Sequence, residues 1–285
     1  MKRLLLCVIV VLTILCGWFV YQKQVQIGPE PSSALKFKRD DIRGATILPK
    51  EKEPPAIQIA NRRNSQIKNF ACDNIQVKAW QGGIKLKLTA TMYYEKDNKF
   101  RMITNSVFGK ELDIGSNDKE FWFWSKRMKP LALYYADHKD FNKTRLRTPF
   151  NPKWMVASLG LDTIDISKCK VVEMKDKLIC VSDHTNSIGE PITKMTYVNK
   201  LTNRVDGFLL VDKTNKKIAS GEVLAWNGDL PQQILYVWFE ENTSMLFDLS
   251  GQRSNTTIDP RIWQKPNIQP QIDMSKDGSA CAFTY

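Results

Sequence analysis

The sequence contains few side chains that could form a catalytic or metal centre. Its two histidines, His138 and His184, each follow an aspartate, but neighbouring residues of an extended chain point in different directions. The imidazole and the adjacent carboxylate are therefore not placed in hydrogen-bonding register. The sequence also lacks a Gly-x-Ser-x-Gly elbow, a phosphate-binding glycine loop and a Cys-x-x-Cys pair. We predict a protein that is not an enzyme and that needs no metal and no cofactor.

The cysteines are the remaining chemically reactive residues, and we interpret them as structural. Cys169 and Cys180 flank a segment that could fold as a hairpin and bring the two thiols together. That pairing leaves Cys72 to form a second disulfide with Cys281. Four cysteines allow three connectivities, so the other two pairings stay open.

A hydrophobic run opens the chain and indicates export. Two basic residues precede an almost uninterrupted apolar stretch over residues 4–21. We predict residues 1–23 as a signal peptide or membrane anchor, because the length of the run fits both. A lipoprotein signal, in which Cys16 carries the lipid, is the third alternative. Each of them places a soluble body outside the cytoplasm and beside a membrane.

Composition and charge restrict the classes of partner. The apolar fraction of 42% is sufficient for a sizeable core and excludes a disordered chain. There are 42 Lys and Arg against 30 Asp and Glu, a net charge of +12. The lysines are scattered along strands and turns, which is typical of a solvated surface attracted to anionic membranes or envelope polymers. Export argues against nucleic acid as a partner.

The pattern of hydrophobic residues predicts a mainly β (α+β) fold with one domain over residues 56–285. Residues 24–55 are rich in proline and charge and predict a linker. A helix is expected over 56–68, followed by strands with period-two alternation over 84–92 and 100–108.

The second half of the chain continues this pattern. A turn at 115–118 leads into an aromatic strand, and a short helix is expected over 152–160, with proline at its start and glycine at its end. Further strands are predicted over 168–182, 191–200, 205–213, 216–226 and 232–240. We predict a large curved antiparallel sheet that forms an incomplete barrel closed by short helices.

The aromatic segment Phe121-Trp122-Phe123-Trp124 is the most distinctive feature of the predicted sheet. Concave pockets lined by apolar and aromatic side chains bury lipid chains without charged partners. Plain core packing is the alternative explanation of these aromatic residues. From strand alternation we predict an acyl-chain cavity. Its lining residues are Leu86, Leu88, Met92, Met102, Phe108, Trp122, Trp124, Trp154, Met155 and Leu159.

Taken in order, these features resemble the LolA/LolB-like superfamily of bacterial lipoprotein carriers over roughly residues 56–250. The resemblance consists of an export signal, an opening helix, the pair Phe100-Arg101 at the start of a strand, the 115–118 turn before the aromatic segment, and the helix over 152–160. It implies an incomplete antiparallel barrel, closed by helices, with an apolar cavity for acyl chains.

The resemblance also implies a role for Arg101, because the arginine at this place helps hold the helical lid of the carrier. Met102 departs from the family pattern, in which an aromatic residue often follows the arginine. The soluble carrier has no membrane tether. The receptor member is tethered and has a protruding loop with an exposed apolar residue, which the sequence does not locate here. Carrier and receptor therefore both stay open.

Two functions follow from these observations. The first is a membrane-associated periplasmic protein that binds or carries lipid or lipoprotein acyl chains, as in outer membrane lipoprotein sorting. The alternative is an envelope scaffold or signalling module that binds a protein or an anionic polymer and has no ligand cavity.

Overall fold

The computed structural model describes residues 45–49, 52–81, 84–96, 99–144 and 152–276. The predicted signal or anchor over 1–23, Cys16 and Cys281 lie outside the described residues. Within these ranges no helix has both the length and the apolar character needed to cross a membrane.

The described residues form one large sheet. Its strands are β1 Thr46–Ile47, β2 Asn69–Gln81, β3 Ile84–Glu95, β4 Lys99–Ser106, β5 Gly109–Ser116, β6 Glu120–Ser125, β7 Leu133–Asp137, β8 Lys170–Glu173, β9 Lys177–Thr185, β10 Pro191–Asn199, β11 Arg204–Asp212, β12 Lys217–Asn227, β13 Leu230–Trp238, β14 Thr243–Ser250, β15 Arg253–Ser254 and β16 Gln271–Asp273. Their order is β1-β8-β9-β10-β11-β12-β13-β14-β2-β3-β4-β5-β6-β7-β16, with β15 beside β2. All pairs are antiparallel except β16 with β7. The predicted mainly β fold with an open, incomplete barrel is confirmed.

Two short α-helices accompany the sheet in the described part of the chain. Helix α1 spans Pro55–Gln66 and begins with proline at its first position, where the missing N–H costs no helical hydrogen bond. Its buried residues Ala56, Ile57, Ala60 and Asn64 recur at helical spacing and form one face. Helix α2 spans Pro152–Ala157. Three 3-10 helices lie at His138–Lys143, Ile166–Lys168 and Pro260–Trp263.

The sheet is strongly curled, and α2 shows by how much. This helix contacts both β5 and β12, which are six strand spacings apart in the sheet. In a flat sheet that separation would be about 29 Å, at about 4.8 Å for each spacing. A helix is only about 10 Å across, so the sheet bends around α2. The face toward α2 is therefore concave.

The largest hydrophobic cluster fills this concave face. It joins side chains of β2 to β7 and of β10 to β14 with the residues of α2. A second, smaller cluster joins α1 to β8, β9, β10 and β11 at the other end of the sheet. The two helices thus cover neighbouring parts of the same curled surface.

Some elements differ from the sequence-based expectation. The strand β1 lies inside the predicted linker and pairs with β8. The strands β2, β7 and β14 were not predicted, and neither was the segment after β15 that crosses the sheet and ends at β16. Mixed polar and apolar residues in β2, and the absence of a long periodic run after Ser250, explain why alternation did not reveal them.

The expected hairpin between Cys169 and Cys180 exists as β8 and β9, with Val171 opposite Cys180. The two cysteines are buried in the same cluster, and their side chains are hydrogen-bonded to each other. That hydrogen bond, together with burial, raises the pKa of the Cys180 thiol well above its usual value. Among the described cysteines the structure contains no disulfide. Cys72 is buried elsewhere, and its thiol points to the carbonyl oxygen of Ser250 at 3.3 Å.

We predict that oxidised glutathione converts the Cys169 and Cys180 thiols into a disulfide in the folded protein, with both electrons and both protons leaving to the oxidant. Because the raised pKa keeps the thiolate scarce, the reaction should accelerate as the pH rises. The bond should stabilise the fold by about 2–3 kcal/mol. Intact mass and chemical denaturation check both statements. A Cys169→Ala control must stay unoxidised at Cys180, and oxidation that favours Cys72 would contradict the prediction.

Candidate functional site

The concave face brings together most of the residues expected to line an acyl-chain cavity. Met92 and Met102 are buried there, directly opposite each other on β3 and β4. Leu88 packs against the same cluster, and Leu86, two residues earlier on β3, is half-buried on the same side. This agreement reflects the clean alternation of β3 and β4.

Helix α2 supplies the other predicted lining residues on this face. Trp154, Met155 and Leu159 all belong to the concave cluster, and Leu159 has no solvent-exposed surface. A Cβ at Gly221 of β12 would approach the Cβ of Ser158 to 2.6 Å, so only glycine leaves room for the helix. The helix is thus closely packed in the concavity.

Trp122 and Trp124 lie on the opposite face of the sheet. Their neighbours Phe121 and Phe123 point into the concave cluster instead. The sequence assigned the tryptophans to the cavity, and the structure corrects this face assignment. The physical reason is that both faces of β6 carry aromatic residues, so alternation alone did not identify the inward pair.

Phe108 also lies away from the concave cluster. The strand β4 ends at Ser106, and Gly109, with a φ of +97°, forms the turn into β5. Phe108 is consequently 81% exposed at the tip of this hairpin, beside Val107, which is 93% exposed. The expectation that the strand continues inward through Phe108 was wrong.

Arg101 is buried on the convex face, where its guanidinium makes four hydrogen bonds. It donates to both carboxylate oxygens of Asp113, at 3.0 and 2.9 Å, and to the carbonyl oxygens of Ile262 and Gln264, at 2.9 and 2.8 Å. It also lies over the ring of Trp122, 5.4 Å from the centroid. Arg101 therefore holds the C-terminal segment against the sheet, and these bonds do not reach α2, the expected lid.

The two ends of the curled sheet approach each other at one rim. A cavity of about 330 Å³ is lined there by residues from the turn between β9 and β10 and by Asn142, which follows β7. The turn residues are Thr185, Ser187, Ile188 and Gly189. This cavity is more polar than the interior under α2. It marks the gap that the incomplete barrel leaves.

Two hydroxyl groups within the concave cluster form no hydrogen bond to any described residue. They are Thr104 Oγ1 and Tyr236 Oη, and both atoms are buried. Burial raises the pKa of Tyr236 strongly, so the hydroxyl stays protonated and remains a donor. The interior under α2 is therefore apolar in most places but offers isolated polar atoms.

The two histidines differ in their surroundings. His138 Nε2 lies 2.7 Å from the carbonyl oxygen of Asn117, which fits a structural role in the turn before β6. His184 Nε2 lies 2.8 Å from Ser182 Oγ, two residues earlier on β9. Partial desolvation of its ring, and secondarily the charge of Lys194, lowers the pKa of His184. No group of three or more metal-ligating side chains occurs among the described residues.

Lys194 and Asp162 form a charged pair beside α2 that sequence reasoning missed. Lys194 Nζ lies 3.8 Å from Asp162 Oδ2, and burial raises the pKa of that aspartate. Ile192 and Thr196 lie two residues before and after Lys194, so all three side chains point to the concave face of the sheet. A lysine between two inward-facing residues is the sequence signal that could have revealed the pair.

Comparison with known proteins gives a likeness of fold and none of sequence. No protein-family model and no curated protein matches the chain. Among solved structures, it is similar to a DUF1329 family protein from Desulfovibrio piger, at 11% identity and a TM-score of 0.46, over 73% of this chain and 95% of that one. An outer membrane lipoprotein-sorting protein domain from Vibrio parahaemolyticus has 10% identity, a TM-score of 0.46 and the same coverage.

A LolA superfamily protein from Nitrosomonas europaea has 9% identity and a TM-score of 0.45, over 73% of this chain and 97% of that one. At these identities the likeness concerns the course of the chain alone.

We predict that Arg101→Met releases the C-terminal segment without releasing α2. The substitution leaves the buried Asp113 carboxylate with Lys110 as its charged partner and with a long hydrogen bond of 3.4 Å from Trp122 Nε1, so the free energy of unfolding should fall by about 3 kcal/mol. Amide hydrogen exchange should accelerate over residues 261–265 and stay unchanged over 154–161. Lys110→Met, which removes the second cation paired with Asp113, should not affect the exchange of 261–265. Faster hydrogen exchange in α2 of the Arg101→Met variant would contradict this prediction and would show that Arg101 helps hold the helical lid.

Proposed function

We propose that this protein is a membrane-associated periplasmic protein that binds or carries lipid or lipoprotein acyl chains in the concavity of its sheet. It needs no catalytic group for this task. The observation that carries the proposal is α2, a short apolar helix that occupies the concave face of an incomplete barrel. The sequence resemblance of residues 56–250 to lipoprotein carriers supports the class of ligand.

An acyl chain would take the place of α2 rather than enter an open pocket. Six apolar residues of α2 and the turn after it are buried, which contributes about 10 kcal/mol of hydrophobic stabilisation. A chain of about fifteen methylenes buries a similar amount, at about 0.8 kcal/mol for each. The two contributions are comparable, so the helix and a chain can exchange without a large net loss.

The exposed hairpin tip supports association with a membrane. Val107 and Phe108 project from the rim of the sheet, and Lys126 Nζ donates to the carbonyl oxygen of Phe108 at 3.2 Å. Arg127 and Leu131, in the next loop along this rim, are exposed as well. Apolar side chains beside cations are suited to the interface of an anionic bilayer.

One observation favours the alternative function, an envelope scaffold without a ligand cavity. The concave cluster is densely filled, and large side chains such as Tyr134, Phe100 and Phe208 are fully buried in it. In that case α2 is a permanent part of the core. The two functions differ in what happens when the packing of α2 is weakened.

We predict that Leu159→Ala lowers stability and at the same time increases affinity for a fluorescent hexadecanoate. The truncation should cost about 2–5 kcal/mol of unfolding free energy. Because α2 then competes less with the chain, the ligand should bind several-fold more tightly. Denaturant unfolding and a fluorescence titration measure the two effects.

Leu209→Ala is the matched control for this experiment. Leu209 is as completely buried as Leu159 but belongs to the cluster on the other face. The Leu209→Ala variant should be less stable than the wild type, but it should not bind the fluorescent hexadecanoate more tightly. If neither the wild-type protein nor either variant binds the probe, the scaffold function is the correct one.

We predict that replacing Val107 and Phe108 together by serine weakens binding to vesicles of phosphatidylglycerol and phosphatidylethanolamine by at least about tenfold. Each substitution removes the favourable free energy of transferring an apolar side chain from water into the bilayer. Leu201→Ser is the control, because Leu201 is 88% exposed on the opposite rim. Vesicle co-sedimentation of the protein without its N-terminal hydrophobic run measures both. Equal binding of the double variant and the wild type would refute the role of the tip.

A further inference from the structure

Lys194 is an unusual residue for the concave face, because it places a charge among inward-facing apolar side chains. It lies opposite Leu210 on β11, with Ile192 two residues away on its own strand. Only 16% of its side chain is exposed, and its ammonium lies 5.4 Å from the centre of the Phe208 ring. Burying a lysine in such surroundings is costly unless a partner compensates the charge.

The charge of Lys194 is compensated only in part by its neighbours in the structure. Among the described residues its one ion pair is with Asp162, and 3.8 Å is longer than a direct hydrogen bond. An ammonium has three donors, so Lys194 has donor capacity that this carboxylate does not use. Asp162 itself is fixed in place, because its carbonyl oxygen accepts a hydrogen bond from Asn64 of α1 at 2.8 Å.

Two further polar groups lie beside Lys194 on the same face. Ser182 is directly opposite it on β9, and the hydroxyl of Ser182 is 2.8 Å from His184 Nε2. Ser182 is half-buried and His184 is exposed. The ammonium, hydroxyl and imidazole thus form a group of hydrogen-bond donors at the open flank of α2. Apolar side chains lie next to it.

We propose that Lys194, with Ser182 and His184, binds the anionic head of a single-chain amphiphile, a carboxylate or a phosphate, while its acyl chain lies along Ile192, Phe208 and Leu210 toward α2. The charge complementarity and the adjoining apolar wall together define this ligand. The inference rests on the proposed function and narrows it, because it favours an acidic lipid over a neutral ester.

The test compares probes that differ only at the head: fluorescent hexadecanoate, its methyl ester and a lysophosphatidate with the same chain. The wild-type protein should bind an acidic probe about tenfold more tightly than the ester, which is the gain expected of a charge-assisted hydrogen bond. Preference for hexadecanoate or for lysophosphatidate then distinguishes a carboxylate head from a phosphate head.

Lys194→Met should remove this preference, because the affinity for the acidic probes should fall to that for the ester. Lys194→Arg should retain most of the preference. Lys217→Met is the matched control, since Lys217 lies 5.4 Å from the ring of Phe239 on the other face of the sheet. It should behave like the wild type. Equal binding of acid and ester by the wild type, a preference that survives in Lys194→Met, or an equal loss of acid and ester in that variant would overturn the inference. Binding of none of the probes by the wild type would instead refute the acyl-chain function itself.

Discussion

The structure depends on the curl of a single sheet around one short helix. A sheet of this width that bends until β5 and β12 contact the same helix encloses more apolar surface than its own side chains cover. Uncovered apolar surface is costly in water, so something must fill the concavity. Helix α2 does so, and Gly221 is the point where the sheet makes space for it. A ligand of similar length and polarity satisfies the same constraint.

Arg101 and Lys194, two largely enclosed cations on opposite faces of the sheet, illustrate how a structural charge differs from one that can serve a ligand. The guanidinium of Arg101 makes four hydrogen bonds, two to a carboxylate on one side and two to backbone carbonyls on the other. Lys194 is almost as enclosed, yet its carboxylate partner is distant. Burial is costly for both ions, and the pairing of Arg101 is short and bidentate whereas that of Lys194 with Asp162 is long. Arg101, on the convex face, holds the C-terminal segment against the sheet. Lys194, on the concave face, has donors left for a second anion.

Much of the fold could be predicted from the sequence, and the failures have local causes. Strands such as β3 alternate cleanly, so the positions of Met92 and Leu88 were correct. In β6 both faces are aromatic, one packed into the concave cluster and the other beside Arg101, so polarity does not distinguish them. The end of β4 depends on the backbone of Gly109, which no hydrophobic pattern encodes. The Lys194 group depends on the register of the β9–β10 hairpin, which alternation does not fix, and on the non-local approach of Asp162 after α2.

The attachment of α2 determines how the concavity could open. After the helix, the chain is held by α1, where Asn64 donates to the carbonyl oxygens of Gly160 and Asp162, and Asn61 exchanges two hydrogen bonds with Ile164. Gly160 has a φ of +68° and lies against Trp226, so this junction tolerates no side chain. The segment that follows α2 is therefore firmly held, and a displacement of the helix that respects these bonds keeps Asp162 beside Lys194. An anionic head that reaches Lys194 would then share the ammonium with a carboxylate that stays in place.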